Sequence, residues 1–156
     1  MTSVREELQI FVRRFGLLNA NSCEECCGEQ VSMPQGHILF EIRRKGNPSM
    51  QQVADELGMD ITTFSRQAKS LEGKELIVRR VSPDDRRVNL LMLTPAGEEV
   101  MERIDRYMAE KIERIFSTMS SFEKESVIRS LQLLNSALAK TDCCGVRQDK
   151  NIACCK

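Results

Sequence analysis

A mainly α chain carrying one small β-hairpin is what this sequence predicts, and three observations predict it. Across residues 49–71, two short amphipathic helices follow one another with a glycine turn between them. Beyond them, two strand-like runs, Leu-Ile-Val-Arg-Arg-Val at 76–81 and Val-Asn-Leu-Leu-Met-Leu at 88–93, flank the polar turn Ser-Pro-Asp-Asp-Arg-Arg. On both sides lie long stretches in which apolar residues keep helical spacing. Together these describe a winged helix-turn-helix with a small β-hairpin wing and long N- and C-terminal dimerisation helices.

Taken in order, Val4, Leu8, Phe11, Val12, Phe15 and Leu18 keep helical spacing, which predicts a first helix over residues 3 to about 27, stopped by Gly28. Pro34 fits the first turn of a second helix carrying Ile38, Leu39 and Ile42, and Gly46-Asn47-Pro48 breaks the chain after it. The single histidine, His37, lies on that helix; alone it carries little information, and a structural or surface role is expected rather than a metal ligand. Ser49 and Gln52 make a capping box for a helix with Met50, Val53, Ala54 and Leu57 on one side, and Gly58 stops it. Asp60 is the N-cap of the next helix, in which Ile61, Phe64, Ala68 and Leu71 share the inward face. Thr62, Thr63, Ser65, Arg66 and Lys69 are left facing out. Short polar and basic side chains so placed can enter a major groove and reach base edges.

Behind the hairpin, Thr94 as N-cap and Pro95 at the first helical position open a long helix with Val100, Ile104, Met108, Ile112, Ile115 and Met119 nearly in line. Ser120 and Glu123 form a further capping box, and Val127, Leu131, Leu134 and Leu138 are the stripe of a last helix. The expected organisation is a regulator over residues 1–141 and a cysteine-rich tail over 142–156. Within the former, a DNA-binding lobe spans about 34–94 and dimerisation helices span about 3–27 and 95–140. The terminal stripes expose more apolar surface than one small winged helix can cover. Pairing of two chains buries it and presents two recognition helices to half-sites about 34 to 36 Å apart on a pseudo-palindromic operator.

The run Leu71-Glu72-Gly73-Lys74-Glu75-Leu76-Ile77 through Asp85-Arg86-Arg87 to Leu93-Thr94 resembles the MarR family of winged-helix transcriptional regulators, including its Asp-x-Arg, five-residue, Leu-Thr spacing. The resemblance extends more loosely from about Val4 to Leu138 and does not include the cysteines. It implies dimerisation through the terminal helices and places Arg87, oriented by Asp85, at the wing tip in a minor groove. Thr62, Thr63, Ser65 and Arg66 are the base-reading candidates. Lys69, Arg79 and Arg86 are the expected phosphate contacts.

Composition is compatible with this. Hydrophobic residues make up 41% and charged residues 29% of the 156, an ordinary balance for one domain with a core. No apolar run approaches the roughly 20 residues of a spanning helix, and the charged N-terminus lacks a signal core, so a cytoplasmic protein without a membrane partner is expected. Net charge is zero, but between Arg43 and Leu90 ten Lys or Arg face seven Asp or Glu, and four of those arginines sit on the wing. A neutral protein with one basic edge can bind double-stranded DNA without coating every polyanion. No phosphate loop, nucleophile elbow or histidine pair is present, so no enzyme is expected.

Seven cysteines fall into three groups: Cys23, Cys26 and Cys27, then the vicinal pairs Cys143-Cys144 and Cys154-Cys155. A reducing compartment disfavours structural disulfides. On a helix, positions 0, +3 and +4 fall within about a 100-degree arc, so three thiolates would share one face. Such a set suits a soft ion: arsenite or antimonite, with zinc, cadmium, lead or copper(I) as further candidates. The expected function is a repressor released from its operator when these thiolates bind the ion. An oxidant-sensing repressor is the alternative, since exposed thiols with resolving partners also switch by oxidation. A metal buffer or thiol oxidoreductase is a third reading, though Cys-x-x-Cys here lacks the βαβ context of that chemistry.

Overall fold

The computed structural model of the chain describes residues 3–16 and 31–140. Its elements follow in the order α1 (Val4–Phe15), α2 (Met33–Lys45), α3 (Met50–Glu56), α4 (Ile61–Gly73), β1 (Ile77–Val81), β2 (Asn89–Leu93), α5 (Pro95–Phe116) and α6 (Ser121–Lys140). The mainly helical winged architecture that the sequence predicts is the one observed.

Local chemistry explains where the elements start and stop. Ser49 accepts from the Gln52 amide at 3.2 Å while the Gln52 side chain accepts from the Ser49 amide at 2.8 Å, closing the expected box at α3. Ser120 and Glu123 do the same at the start of α6, with 3.3 and 2.8 Å bonds. A third box, Ser32 with Gln35, opens α2 and was not read from the sequence. Each satisfies amides that a helix N-terminus would otherwise leave without partners.

Two expectations need correction. The first helix does not run to about residue 27: Gly16 takes a left-handed φ of 88° and returns its amide to the Arg13 carbonyl, so α1 ends at Phe15. The apolar spacing continues to Leu18, but a glycine in that conformation outweighs it. Residues 17–30, with Gly28, Cys23, Cys26 and Cys27, lie outside the described residues, as do residues 141–156 with Cys143, Cys144, Cys154 and Cys155. Ile61 is not inward either; it is 45% exposed. It is the first residue of α4, and a helical Cβ tilts toward the N-terminus, so the side chain points off the helix end.

The core sits under the helix-turn-helix. Ile38, Leu39 and Ile42 of α2 meet Val53 and Ala54 of α3 and Phe64, Ala68 and Leu71 of α4, closed by Leu76, Ile77, Leu91, Val100 and Met101. Phe64 is fully buried, and so large a ring at the centre holds α4 in place. Buried Gln35 ties the start of α2 to the end of α4: its amide donates to Ser70 Oγ at 3.1 Å and its oxygen accepts from Lys74 Nζ at 2.9 Å. Glu56 of α3 pairs with Arg44 at 2.9 Å and Lys45 at 2.8 Å of α2, and hydrogen bonding from Lys45 holds its carboxyl below the usual carboxylate range.

The hairpin is antiparallel, with Ile77 opposite Leu93 and Val81 opposite Asn89. It is also braced from outside, because the Leu91 amide donates to the Pro48 carbonyl at 2.8 Å and Ser49 bridges Leu90. The break at Gly46-Asn47-Pro48 is therefore a short third rail against β2. Thr94 closes the other end: its hydroxyl donates to the Glu75 carbonyl at 2.6 Å and accepts from the Gly97 amide at 3.0 Å.

α5 leaves this core along its length. Val100 is buried and Ile104 packs partly against the core, whereas Ile112 and Ile115 are exposed. Leu131, Leu134 and Leu138 of α6 and Val4, Leu8 and Phe11 of α1 are exposed as well. The Lys111 ammonium links α1 to α5, donating to the Phe15 carbonyl at 2.6 Å and standing 4.7 Å over its ring. Among the described residues, no helix is long and apolar enough to cross a membrane.

Candidate nucleic-acid interface

Helix α4 is anchored on one side and open on the other. Phe64, Ala68 and Leu71 lock it into the core, and the 3.6-residue period then turns Thr62, Thr63, Arg66 and Lys69 to solvent, with Ser65 half-buried on the flank. Asp60 caps it, accepting from the Thr63 amide at 2.9 Å. Hydrogen bonds from Thr63 hold the Asp60 carboxyl below the usual carboxylate range. The cap defines where the exposed face begins, so Thr62 and Thr63 lie in the first turn, where a recognition helix meets base edges.

The wing tip has its own fixed geometry. Asp85 Oδ1 accepts from the Arg87 amide at 2.9 Å and from Arg87 Nε at 3.3 Å. The Ser82 amide donates to the Val88 carbonyl at 2.8 Å and the Val88 amide to the Asp85 carbonyl at 2.9 Å, which closes the loop. One carboxylate thus shapes the turn and aims the guanidinium, while the Arg87 side chain remains 91% exposed. Arg80 and Arg86 are exposed beside it.

Arg79 behaves differently. Its guanidinium pairs with Glu72 of α4 at 2.8 Å and donates to Met50 Sδ of α3 at 3.3 Å, so it is turned back into the lobe. The strand period held the signal: Arg79 shares a side of β1 with buried Ile77, two residues away, whereas Arg80 alternates outward. Sequence places Met50 on the apolar side of its helix and Glu72 in the run that begins at Leu71, but gives neither as a partner of Arg79. His37 stands exposed on α2.

The structure therefore brings Thr62, Thr63, Arg66 and Lys69 together on one face of α4, and places Asp85, Arg86 and Arg87 at the tip of the adjoining wing. Two separated probes on one rigid lobe suit a duplex, the helix for a major groove and the extended arginine for the backbone or the neighbouring minor groove. The cysteine candidates, Cys23, Cys26, Cys27, Cys143, Cys144, Cys154 and Cys155, lie outside the described residues. Among the described residues no group of His, Cys, Asp or Glu is arranged to hold a metal.

Comparisons with known proteins agree with this geometry. The sequence model of the MarR family matches residues 31–88. The uncharacterized HTH-type transcriptional regulator YxaD of Bacillus subtilis is 31% identical over 134 residues, which cover 86% of this chain and 92% of YxaD. The crystal structure of Streptococcus pneumoniae FabT in complex with DNA shares the fold with a TM-score of 0.78, at 24% identity over 88% of this chain and 96% of that one. The Staphylococcus aureus MepR–DNA complex does so with a TM-score of 0.69, at 22% identity over 88% and 99% of the two chains.

Proposed function

The chain belongs to the MarR family of winged-helix transcriptional regulators, and from that premise we propose that it is a homodimeric repressor whose hold on DNA is set by its cysteines. It is a DNA-binding regulator and not an enzyme, which removes the thiol oxidoreductase reading. The observation that carries the proposal is the exposed face of α4, with Thr62, Thr63, Arg66 and Lys69, held in one lobe with the 91% exposed Arg87. Thr62, Thr63, Ser65 and Arg66 read base edges, Lys69 and Arg86 contact phosphates, and Arg87 enters a minor groove. DNA complexes of FabT and MepR support the partner class.

Dimerisation rests on the apolar faces left open. Val4, Leu8 and Phe11 of α1, Ile112 and Ile115 of α5, and Leu131, Leu134 and Leu138 of α6 are all exposed. Exposed apolar surface on this scale marks an interface. A second copy buries it and supplies the second recognition helix for a two-fold operator. The site of action is the cytoplasm, where the DNA is.

The finer reading is that thiolates of Cys23, Cys26, Cys27 and the pairs Cys143-Cys144 and Cys154-Cys155 take up arsenite, antimonite or another soft ion and thereby release the operator. Its support is the sequence: seven thiols in three close groups, more than an oxidation switch needs. In sequence, the Cys23 group follows α1 and the two vicinal pairs follow α6, helices that carry open apolar faces, so an ion held there can bias how two lobes stand on DNA.

One titration tests this. Reduced protein bound to DNA from upstream of its own gene is challenged with arsenite and, separately, with stoichiometric peroxide. Release by arsenite, lost in Cys23→Ser and Cys144→Ser, is the expected result. Unchanged arsenite release in both variants contradicts the ion reading, and release by peroxide alone replaces it with the oxidant sensor.

A further inference from the structure

We propose that Arg79 is a positioning residue rather than a phosphate contact: with Glu72 it forms a strut that sets the angle between the wing and the recognition helix. The inference rests on the DNA-reading role assigned above and deepens it.

One guanidinium joins three elements. Arg79 stands on β1, pairs at 2.8 Å with Glu72 in the last turn of α4, and donates at 3.3 Å to Met50 Sδ in the first turn of α3. Its Nε is buried and has no hydrogen-bond partner among the described residues. The side chains of Arg79 and Glu72 are 26% and 30% exposed, against 91% for Arg87. A charge neutralised by a carboxylate and turned toward the protein is poorly placed for a phosphate. A planar guanidinium held at two of its nitrogens is well suited to fix an orientation.

The geometry gives the strut something to fix. Between the end of α4 and β1 the chain has only Lys74, Glu75 and Leu76, with Glu75 at a left-handed φ of 59°. So short a connection sets the distance of the hairpin from α4. Swing of the hairpin about that connection is resisted by the Leu91–Pro48 bond on one side and by Arg79–Glu72 on the other. Arg87, at the far end of the hairpin, reaches its groove only when that swing is held, because a small rotation at the base moves the tip several-fold further.

Electrostatics and geometry predict opposite signs for one substitution. Glu72→Gln removes a negative charge from the DNA-facing lobe, which by charge alone tightens binding to any duplex. As a strut, the pair is needed for specific binding, so Glu72→Gln weakens affinity for the operator while leaving affinity for a shuffled duplex unchanged or higher. The expected loss of specific affinity is about fivefold, as for a partly exposed ion pair.

The test uses the full chain with Glu72→Gln, Arg79→Gln and the swapped pair Glu72→Arg/Arg79→Glu, titrated on upstream and shuffled duplexes over a salt series. Hydrogen exchange of the β1–β2 amides is followed without DNA. The strut predicts weaker specific binding in both single variants, an unchanged salt slope, faster hairpin exchange, and recovery of both in the swap. Tighter or unchanged operator binding by Glu72→Gln overturns it. So does a salt slope shallower by about one for each Arg79 replaced with no recovery in the swap, which makes Arg79 a phosphate contact. If the wild-type protein does not distinguish the duplexes, the DNA-reading role fails, and the exchange rates still decide the strut.

Discussion

Gly97→Ala lowers the stability of the chain by about 3 kcal/mol, read as a drop in the thermal or denaturant midpoint. A Cβ at position 97 would stand 2.1 Å from the Leu76 carbonyl oxygen and 3.1 Å from its carbon. That oxygen cannot yield, because it already accepts from the Thr94 amide at 3.0 Å in the junction that joins β2 to α5. The alternative is to move α5, which drags Val100 and Met101 from the core. A variant as stable as the parent contradicts the packing described at this junction.

Arg87→Ala costs roughly ten- to a hundred-fold in DNA affinity at low salt and makes the salt slope shallower by about one for each wing. Arg87 is aimed by Asp85 and its side chain is 91% exposed, so its removal opens no cavity and breaks no fold contact beyond the 3.3 Å pair with Asp85. Stability should therefore stay within about 0.5 kcal/mol of the parent, the usual range for surface substitutions. Loss of affinity with an unchanged salt slope contradicts the role given to Arg87. Asp85→Ala, by contrast, leaves the charge and loosens its aim, so it weakens binding without altering the slope as much.

Much of this was legible because local rules and the global fold agree. Ser49 and Gln52, Asp60, Thr94 with Pro95, and Ser120 with Glu123 each announce a helix start that the backbone needs on purely local grounds. Phe64, Ala68 and Leu71 declare the buried side of α4, and the outward face follows from the period. The misses have two causes, one at helix ends and one in contacts between elements. Gly16 ends α1 through a backbone conformation that apolar spacing does not register, and Ile61 is set by its place at a helix end. The inward turn of Arg79 was present in the alternation of β1, but its partners Glu72 and Met50 come from other elements, as does the Pro48 carbonyl that braces β2. Contacts across elements cannot be read from spacing within one. The Gly97 approach to Leu76 is of the same kind, a backbone proximity made only when α5 docks.

Division of labour along the chain follows. The middle of the chain carries the helix-turn-helix and the wing, its terminal helices carry open apolar faces, and its cysteines fall in sequence at 23–27, between the first two helices, and at 143–155, after the last.

The central claim is that α4 and the wing of two paired chains read a two-fold DNA sequence. Fluorescence anisotropy with a labelled duplex from upstream of the gene, against a shuffled duplex of equal length and composition, tests it most directly. The account predicts one dimer per duplex and discrimination of at least about a thousand-fold at physiological salt. Equal affinity for the two duplexes, or saturation by single chains, would contradict it.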